Sequence, residues 1–164
     1  MKLNIYTDGS AMTLPDGKFG GWSFVITSDD VNSKVLVEKY GKLRTGIQDV
    51  NRAELEALYQ AIKYMERTYP KSKFTIYTDC EAVRDCVLGK SKRKANRDIW
   101  DQIEPILRRK SGCFDIKSVK SHQYNDVSVH EYYNNRADAL AKIGVNSLVV
   151  LPINIGIMHD SKDL

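Results

Sequence analysis

The first forty residues alternate between apolar and polar positions and predict three β-strands. The first covers residues 3–8 and is expected to end at Gly9, because glycine there favours a turn. Two further β-rich runs, residues 22–27 and 34–43, follow after short polar segments. Short connections between consecutive strands predict an antiparallel meander.

The apolar period then changes to that of an amphipathic helix over residues 50–68. The rest of the chain predicts a strand (residues 73–79), two helices (81–88 and 97–109), a strand (114–119) and a last helix (134–143) closed by Gly144. A helix that connects two strands acts as a crossover, so the fourth and fifth strands are expected to run parallel to the first. The predicted fold class is α/β, with a mixed five-stranded sheet (an antiparallel three-strand meander plus two parallel strands) flanked by helices.

Composition narrows the class of protein without identifying it. The chain has 164 residues, enough for one domain, with 25 Lys and Arg against 21 Asp and Glu, a net charge of +4. No apolar run is long enough to span a bilayer, and the N-terminus lacks a secretory signal. Three cysteines without CxxC spacing argue against a disulfide framework or a zinc site, so we expect a cytoplasmic protein. We expect one domain over residues 1–144 and an apolar tail, residues 145–164, packed on it.

Positive charge is concentrated in residues 84–110, where nine basic and four acidic residues give a net +5. Five of these cations lie within residues 90–97. Such a run is typical of a site that meets phosphates, and it also fits a solvated loop or helix start. Trp100 lies in the same segment, either as a stacking residue for nucleic acid or, at helical spacing with other apolar residues, as part of the core.

The tetrapeptide Ile-Tyr-Thr-Asp occurs twice, ending at Asp8 and at Asp79, and each copy lies at the end of a predicted strand. If the two strands are parallel neighbours in register, their aspartates lie side by side about 4.8 Å apart, at the edge where α/β sheets bind ligands. Two carboxylates this close repel unless a cation, such as a hard divalent metal, lies between them. The alternative is that each aspartate ends a strand, Asp8 before a turn and Asp79 as the N-cap of the next helix.

Two further acids lie in unusual surroundings. Glu54 shares its helix face with Leu58 and is expected to point inward, and Asp138 is surrounded by alanines that permit close packing. Either could join the carboxylate site. Either could instead form a half-buried ion pair with Arg52 or Arg136.

Together these residues resemble the type 1 ribonuclease H family. The matching motifs occur in the family's order over residues 1–144: TDGS (7–10), NRAEL (51–55), YTD (77–79), KSH (120–122) and NNRADALA (134–141). The resemblance implies a ribonuclease H-like fold and a metal-dependent endonuclease that hydrolyses the RNA strand of RNA/DNA hybrids. It also implies a two-metal-ion mechanism that leaves 5′-phosphate and 3′-hydroxyl ends.

The resemblance assigns roles position by position. It implies four metal-ligating catalytic acids: Asp8, Glu54, Asp79 and Asp138. His122 matches a histidine that assists proton transfer or product release, and Asn51 matches a residue that contacts the hybrid in the minor groove. Expected further substrate contacts are Gly9 and Ser10, close to the 2′-hydroxyl, and the basic residues Lys90, Lys92, Arg93 and Lys94, close to the DNA strand. The implied cofactors are two Mg²⁺ ions, with Mn²⁺ as a substitute, and no small-molecule cofactor. The implied partner is the RNA/DNA hybrid, and the protein is expected to act as a monomer and not to bind a membrane.

The chain also departs from the family pattern. Asp49 and Val50 stand where the family has polar uncharged residues that face the substrate, and an acid at this position would repel a DNA phosphate. The segment from His122 to Asp138 is long, reads as a mobile loop and contains His130 as a second candidate histidine. Two alternative functions are therefore compatible with the sequence: an exonuclease or junction-cutting nuclease of the same fold, and a non-catalytic hybrid-binding module.

Overall fold

The computed structural model describes residues 1–44, 47–119 and 128–147. Its elements, in chain order, are β1 (Lys2–Leu14), β2 (Gly17–Ser28), β3 (Val35–Lys42), α1 (Val50–Thr68), β4 (Lys73–Thr78), α2 (Glu81–Val87), α3 (Arg97–Arg109), β5 (Phe114–Ser118) and α4 (Val129–Asn146). No helix in these three ranges combines the length and the apolar character that a membrane span requires. The predicted tail, residues 145–164, begins in the structure as the end of α4 and its C-cap Ser147, and from residue 148 onward it lies outside the described residues, so the packing of that part stays a prediction.

The five strands form one mixed sheet in the order β3-β2-β1-β4-β5. β1 pairs antiparallel with β2, and β2 with β3, whereas β4 runs parallel to both β1 and β5. This topology confirms the predicted fold class. The two Ile-Tyr-Thr-Asp copies lie in register, because Ile5 is paired with Ile76 and Tyr6 with Tyr77.

Each face of the sheet is covered by helices, because the strands alternate their apolar side chains between the two faces. On one face, α1 and α3 pack on the larger core, which includes Leu3, Ile5 and Ile76. On the other face, α4 packs on a smaller cluster around Tyr6 and Tyr77. The core also contains Trp100, only 2% exposed, so its interpretation as a core residue is confirmed and a base-stacking role is excluded.

The prediction that β1 ends at Gly9 is wrong. β1 continues to Leu14 and pairs with β2 along its whole length, from Leu3 opposite Ser28 to Leu14 opposite Gly17. Gly9 is needed for a different reason. A Cβ at this position would lie 2.5 Å from the carbonyl carbon of Ala53 in α1. The missing side chain therefore lets α1 press against β1 beside Asp8.

The last helix is longer at both ends than predicted. It begins at Val129 because Ser128 and Glu131 form a capping box, in which the Ser128 hydroxyl accepts from the Glu131 amide and the Glu131 carboxylate accepts from the Ser128 amide. His130 therefore lies in the first turn of α4 and not in a loop. At the other end, Gly144 does not stop the helix. A Cβ there would lie 2.5 Å from the Gly41 carbonyl oxygen, so this glycine permits close packing on β3.

Candidate active site

Three carboxylates converge beside the middle of β1 and the carboxyl end of β4. Asp8 lies within β1, Asp79 follows β4, and Glu54 comes from the first turns of α1. One carboxylate oxygen of each residue lies within 4.8 Å of the others. The parallel register of β1 and β4 aligns the two aspartates, and the close contact at Gly9 brings in Glu54. The predicted convergence of these three residues is therefore present in the structure.

Asp8 and Glu54 are buried, Asp79 is half-buried, and burial together with neighbouring negative charges raises the pKa of all three carboxyls. Burial, and then the charges of Glu54 and Asp79, raises the pKa of Asp8 well above its usual range. Burial and the charge of Asp79 do the same to Glu54, and burial raises the pKa of Asp79. Such a group is unfavourable as three anions and favours a bound cation.

The donor atoms fit a hard divalent cation. Carboxylate oxygens are the ligands that Mg²⁺ and Mn²⁺ prefer. Glu54 Oε1 is buried and makes no hydrogen bond to any described residue, so it has lone pairs free for a ligand. Within the three described ranges, no basic side chain forms an ion pair with Asp8, Glu54 or Asp79. The site can therefore accept positive charge that the chain itself does not supply.

Asp138 lies at the border of this group. It is not one of the three mutually close carboxylates, and its Oδ2 pairs with Lys142 Nζ at 3.1 Å. Its carboxyl nevertheless approaches Asp8 closely enough to contribute to the raised pKa of that residue. Asp138 thus faces the site from α4, and its carboxylate forms an ion pair with Lys142 one helical turn away.

The alternatives for these acids can now be compared with the structure. Asp79 is not an N-cap, because Cys80 occupies that position of α2, and Asp8 precedes no turn. Glu54 pairs with neither predicted arginine: Arg52 binds Asp98 at 2.6 Å, and Arg136 binds Glu38 at 2.8 Å. Among the described residues neither arginine pairs with Asp138 either, and the partner of Asp138 is Lys142.

A sequence model described as RNase H matches residues 1–146. The chain belongs to the ribonuclease H family. This membership confirms the family resemblance and the endoribonuclease class that the motifs predicted, whereas the type 1 subdivision stays a prediction. A relative, the ribonuclease H of Nitratidesulfovibrio vulgaris strain DP4, is 27% identical over 154 residues that cover 85% of this chain and 86% of that protein.

Solved structures show the same fold. LC11-RNase H1, solved in complex with an RNA/DNA hybrid, has a TM-score of 0.68 at 23% identity, covering 88% of this chain and 96% of that chain. The protease-reverse transcriptase of prototype foamy virus has a TM-score of 0.74 at 24% identity and covers 89% of this chain. This ribonuclease H family member spans only 21% of that much longer viral protein.

Of the two candidate histidines, the structure describes only His130. His122 lies outside the described residues. His130 is engaged with the tyrosines of the repeated tetrapeptide: its Nδ1 lies 2.8 Å from the Tyr6 hydroxyl, and its ring stacks on Tyr77 with centroids 4.1 Å apart. Burial lowers the pKa of His130. These contacts assign His130 to the packing of α4 on the sheet.

The residues expected to contact substrate near the carboxylates of this ribonuclease H family member differ in solvent exposure. Asn51 is exposed in the first turn of α1, Ser10 is half-buried and Gly9 is buried against α1. Asp49, which the motif comparison left unexplained, is the N-cap of α1, and its side chain accepts from the Arg52 amide at 2.9 Å. Its carboxylate thus has a structural role.

The basic run contains exposed lysines and an arginine that is engaged with other side chains. Lys90, Lys92 and Lys94 are exposed between α2 and α3. Arg93, predicted as a substrate contact, stacks on Trp100 at 4.6 Å and pairs with Glu104 at 2.8 Å, so it ties the segment to α3. The three lysines are exposed and Arg93 is held by other side chains, and contact of these four cations with a nucleic acid stays a prediction.

One residue of the site was missed by the sequence reasoning. Asn134 is fully buried in α4, one helical turn before Asp138, and its amide lies close enough to Asp79 to oppose part of the rise that burial causes in the pKa of that carboxyl. The signal was present in the NNRADALA motif. A polar residue four positions before an inward-facing acid shares its helix face.

Proposed function

We propose that this chain is a divalent-cation-dependent endonuclease that hydrolyses the RNA strand of RNA/DNA hybrids and leaves 5′-phosphate and 3′-hydroxyl ends. The observation that carries the proposal is the group formed by the buried Asp8 and Glu54 and the half-buried Asp79, with one carboxylate oxygen of each within 4.8 Å of the others. The names of its relatives support the proposal, as does the hybrid bound in the structure of LC11-RNase H1.

Asp8, Glu54 and Asp79 would hold the cations, together with Asp138 from α4. When bound there, two Mg²⁺ or Mn²⁺ ions supply Lewis-acid activation of the attacking water and stabilise charge on the phosphate and the departing 3′-oxygen. The chain itself keeps these carboxylates in fixed positions through the β1–β4 register and the close contact of α1 at Gly9. Fixed ligands spare the reorganisation that flexible ones would need.

The remaining candidates would bind and select the substrate. Lys90, Lys92 and Lys94 are exposed and would neutralise phosphates of the DNA strand. Asn51 and Ser10 carry hydrogen-bonding groups near the carboxylates and would contact the RNA 2′-hydroxyl. His122 would assist proton transfer or product release. A cytoplasmic monomer with Mg²⁺ as the main cation completes the proposal.

The test is cleavage of a hybrid labelled on its RNA strand, in Mg²⁺, in Mn²⁺ and in EDTA. Asp8→Asn removes one charge from the carboxylate group and is expected to lower kcat at least about 100-fold, which equals about 2.7 kcal/mol of transition-state stabilisation. Asp16→Asn is the matched control, because Asp16 is exposed in the turn between β1 and β2. Cleavage that survives both EDTA and Asp8→Asn would refute the proposal.

The same assay separates the two competing functions. Faster cleavage of duplex DNA, a single strand or a junction than of the hybrid would indicate the exonuclease or junction-cutting nuclease. Tight binding of the hybrid without turnover in either metal would indicate the binding module. Buried carboxylates argue against the latter, because negative charge facing phosphates weakens binding unless cations neutralise it.

A further inference from the structure

Asn134 has an environment that a structural asparagine rarely tolerates. Its exposed fraction is 0%, and it lies in the middle of α4 beside Ala137 and Leu140, which pack on the sheet. Neither Nδ2 nor Oδ1 makes a hydrogen bond of normal geometry with any described residue. Leaving a buried amide unpaired costs about 1–3 kcal/mol, so each such group in a folded protein calls for an explanation.

The position of Asn134 on α4 supplies that explanation. It precedes Asp138 by four residues and therefore shares the helix face that looks toward the carboxylates. Its influence on Asp79 is that of a donor, because it favours the charged form of that carboxyl. Both polar atoms of the Asn134 amide therefore lie buried on this side of the helix without a hydrogen-bond partner among the described residues.

We propose that Asn134 is a positioning residue for the cation site: its NH₂ group orients the Asp79 carboxylate, and its Oδ1 accepts a hydrogen bond from a water of the hydrated cation bound there. This inference rests on the proposed function. Mg²⁺ keeps several of its waters when bound to carboxylates, and those waters need acceptors. Groups that orient metal ligands from behind typically change metal affinity 10–100-fold when they are removed.

A purely structural Asn134 would behave differently. If the amide served only to fill space, replacing it with leucine of similar size would alter the stability of the metal-free and metal-bound protein equally. If the amide orients Asp79, the loss appears selectively when the cation binds. The two roles are therefore separated by metal-linked stability, which is measured without substrate or turnover.

The experiment measures thermal unfolding of the full chain against MgCl₂ concentration at constant ionic strength, for Asn134→Leu, Asn134→Ala and the parent. The matched control is Asn135→Ala, the same residue type one position along the same helix. We expect both Asn134 variants to bind Mg²⁺ about 10–100-fold more weakly, seen as a displaced titration of Tm, and the control to follow the parent. The Mg²⁺ concentration that half-saturates hybrid cleavage should rise by the same factor.

Titration curves for the Asn134 variants that coincide with that of the parent, after any uniform change in Tm, would overturn this proposal. If Asn134→Leu does not fold, Asn134→Ala decides the question, since it removes the amide without adding bulk. If the parent itself shows no Mg²⁺-dependent rise in Tm and no Mg²⁺-dependent cleavage, the proposed function has failed. If the parent responds and the Asn134 variants respond equally, only the role of Asn134 has failed.

Discussion

Gly9→Ala tests whether the close approach of α1 to β1 sets the geometry of the carboxylates. The added Cβ would lie 2.5 Å from the Ala53 carbonyl carbon and 2.8 Å from the Ala53 Cβ. Ordinary contacts of a Cβ begin at 3.4 Å, and the backbone of α1 cannot rotate away as a flexible side chain would. The helix therefore has to retreat by about 1 Å, a displacement sufficient to disturb catalysis.

The size of the effect follows from the position of Glu54, which comes directly after Ala53. The retreat carries Glu54 away from Asp8, and a misplacement of about 1 Å costs about 100-fold in rate, or about 2.7 kcal/mol. Overpacking between β1 and α1 is expected to lower the free energy of unfolding by about 1–3 kcal/mol. For a chain of this length, each kcal/mol lowers Tm by roughly 2–4 °C.

The assay combines kcat for hybrid cleavage at saturating Mg²⁺ with Tm from calorimetry. Gly89→Asn is the control, because Gly89 has a φ of +78°, which asparagine tolerates, and an added Cβ there would meet no atom within 4 Å. The control should keep kcat within about twofold of the parent. A Gly9→Ala protein with the kcat and the Tm of the parent would refute the claim that this contact positions Glu54.

Three further perturbations probe the surroundings of the site. Gly21→Ala places a Cβ 2.8 Å from the Gly144 carbonyl carbon in α4, so unfolding free energy should fall by about 1–3 kcal/mol in denaturant titrations. Lys142→Gln removes the ion-pair partner of Asp138, so that carboxylate becomes more available to a cation. The Mg²⁺ concentration that half-saturates cleavage should therefore fall roughly twofold, and an increase would contradict this reasoning. Burial lowers the pKa of His130 in the folded protein, so on acidification this histidine is protonated in the unfolded chain before it is protonated in the folded one. The free energy of unfolding therefore falls below about pH 6.5. The His130→Gln variant should lose less unfolding free energy than the parent over the same pH range.

The part of the site that depends on local patterns could be predicted from the sequence. The bounds of α1 and α3 match the prediction, because their apolar residues recur at helical spacing. The repeated Ile-Tyr-Thr-Asp predicted the register of β1 and β4, and hence the meeting of Asp8 and Asp79. These inferences needed only a few residues on each element.

Features that depend on a distant partner could not be predicted in this way. Gly9 and Gly144 were interpreted as ends of elements, whereas each permits close contact with a backbone far away in the sequence. Arg93 was assigned to the substrate because its neighbours are cations, yet its partners in the fold are Trp100 and Glu104. The residue type was informative in each case, but the reason for it lay in tertiary packing.

The charge pattern has a different meaning once ion partners are known. Residues 84–110 carry a net +5, but Arg93 pairs with Glu104, and Arg97 pairs with Asp101 and Glu104. Because paired arginines attract phosphate less than unpaired cations do, attraction by this segment would rest mainly on the exposed cations to which the described residues supply no carboxylate partner: Lys90, Lys92, Lys94 and Arg108. Those cations would attract a hybrid of any sequence, but its scissile phosphate and the carboxylates of the site would repel one another unless cations lay between them. Productive binding of the hybrid therefore requires an occupied cation site, which couples substrate affinity to the same residues that would perform the chemistry.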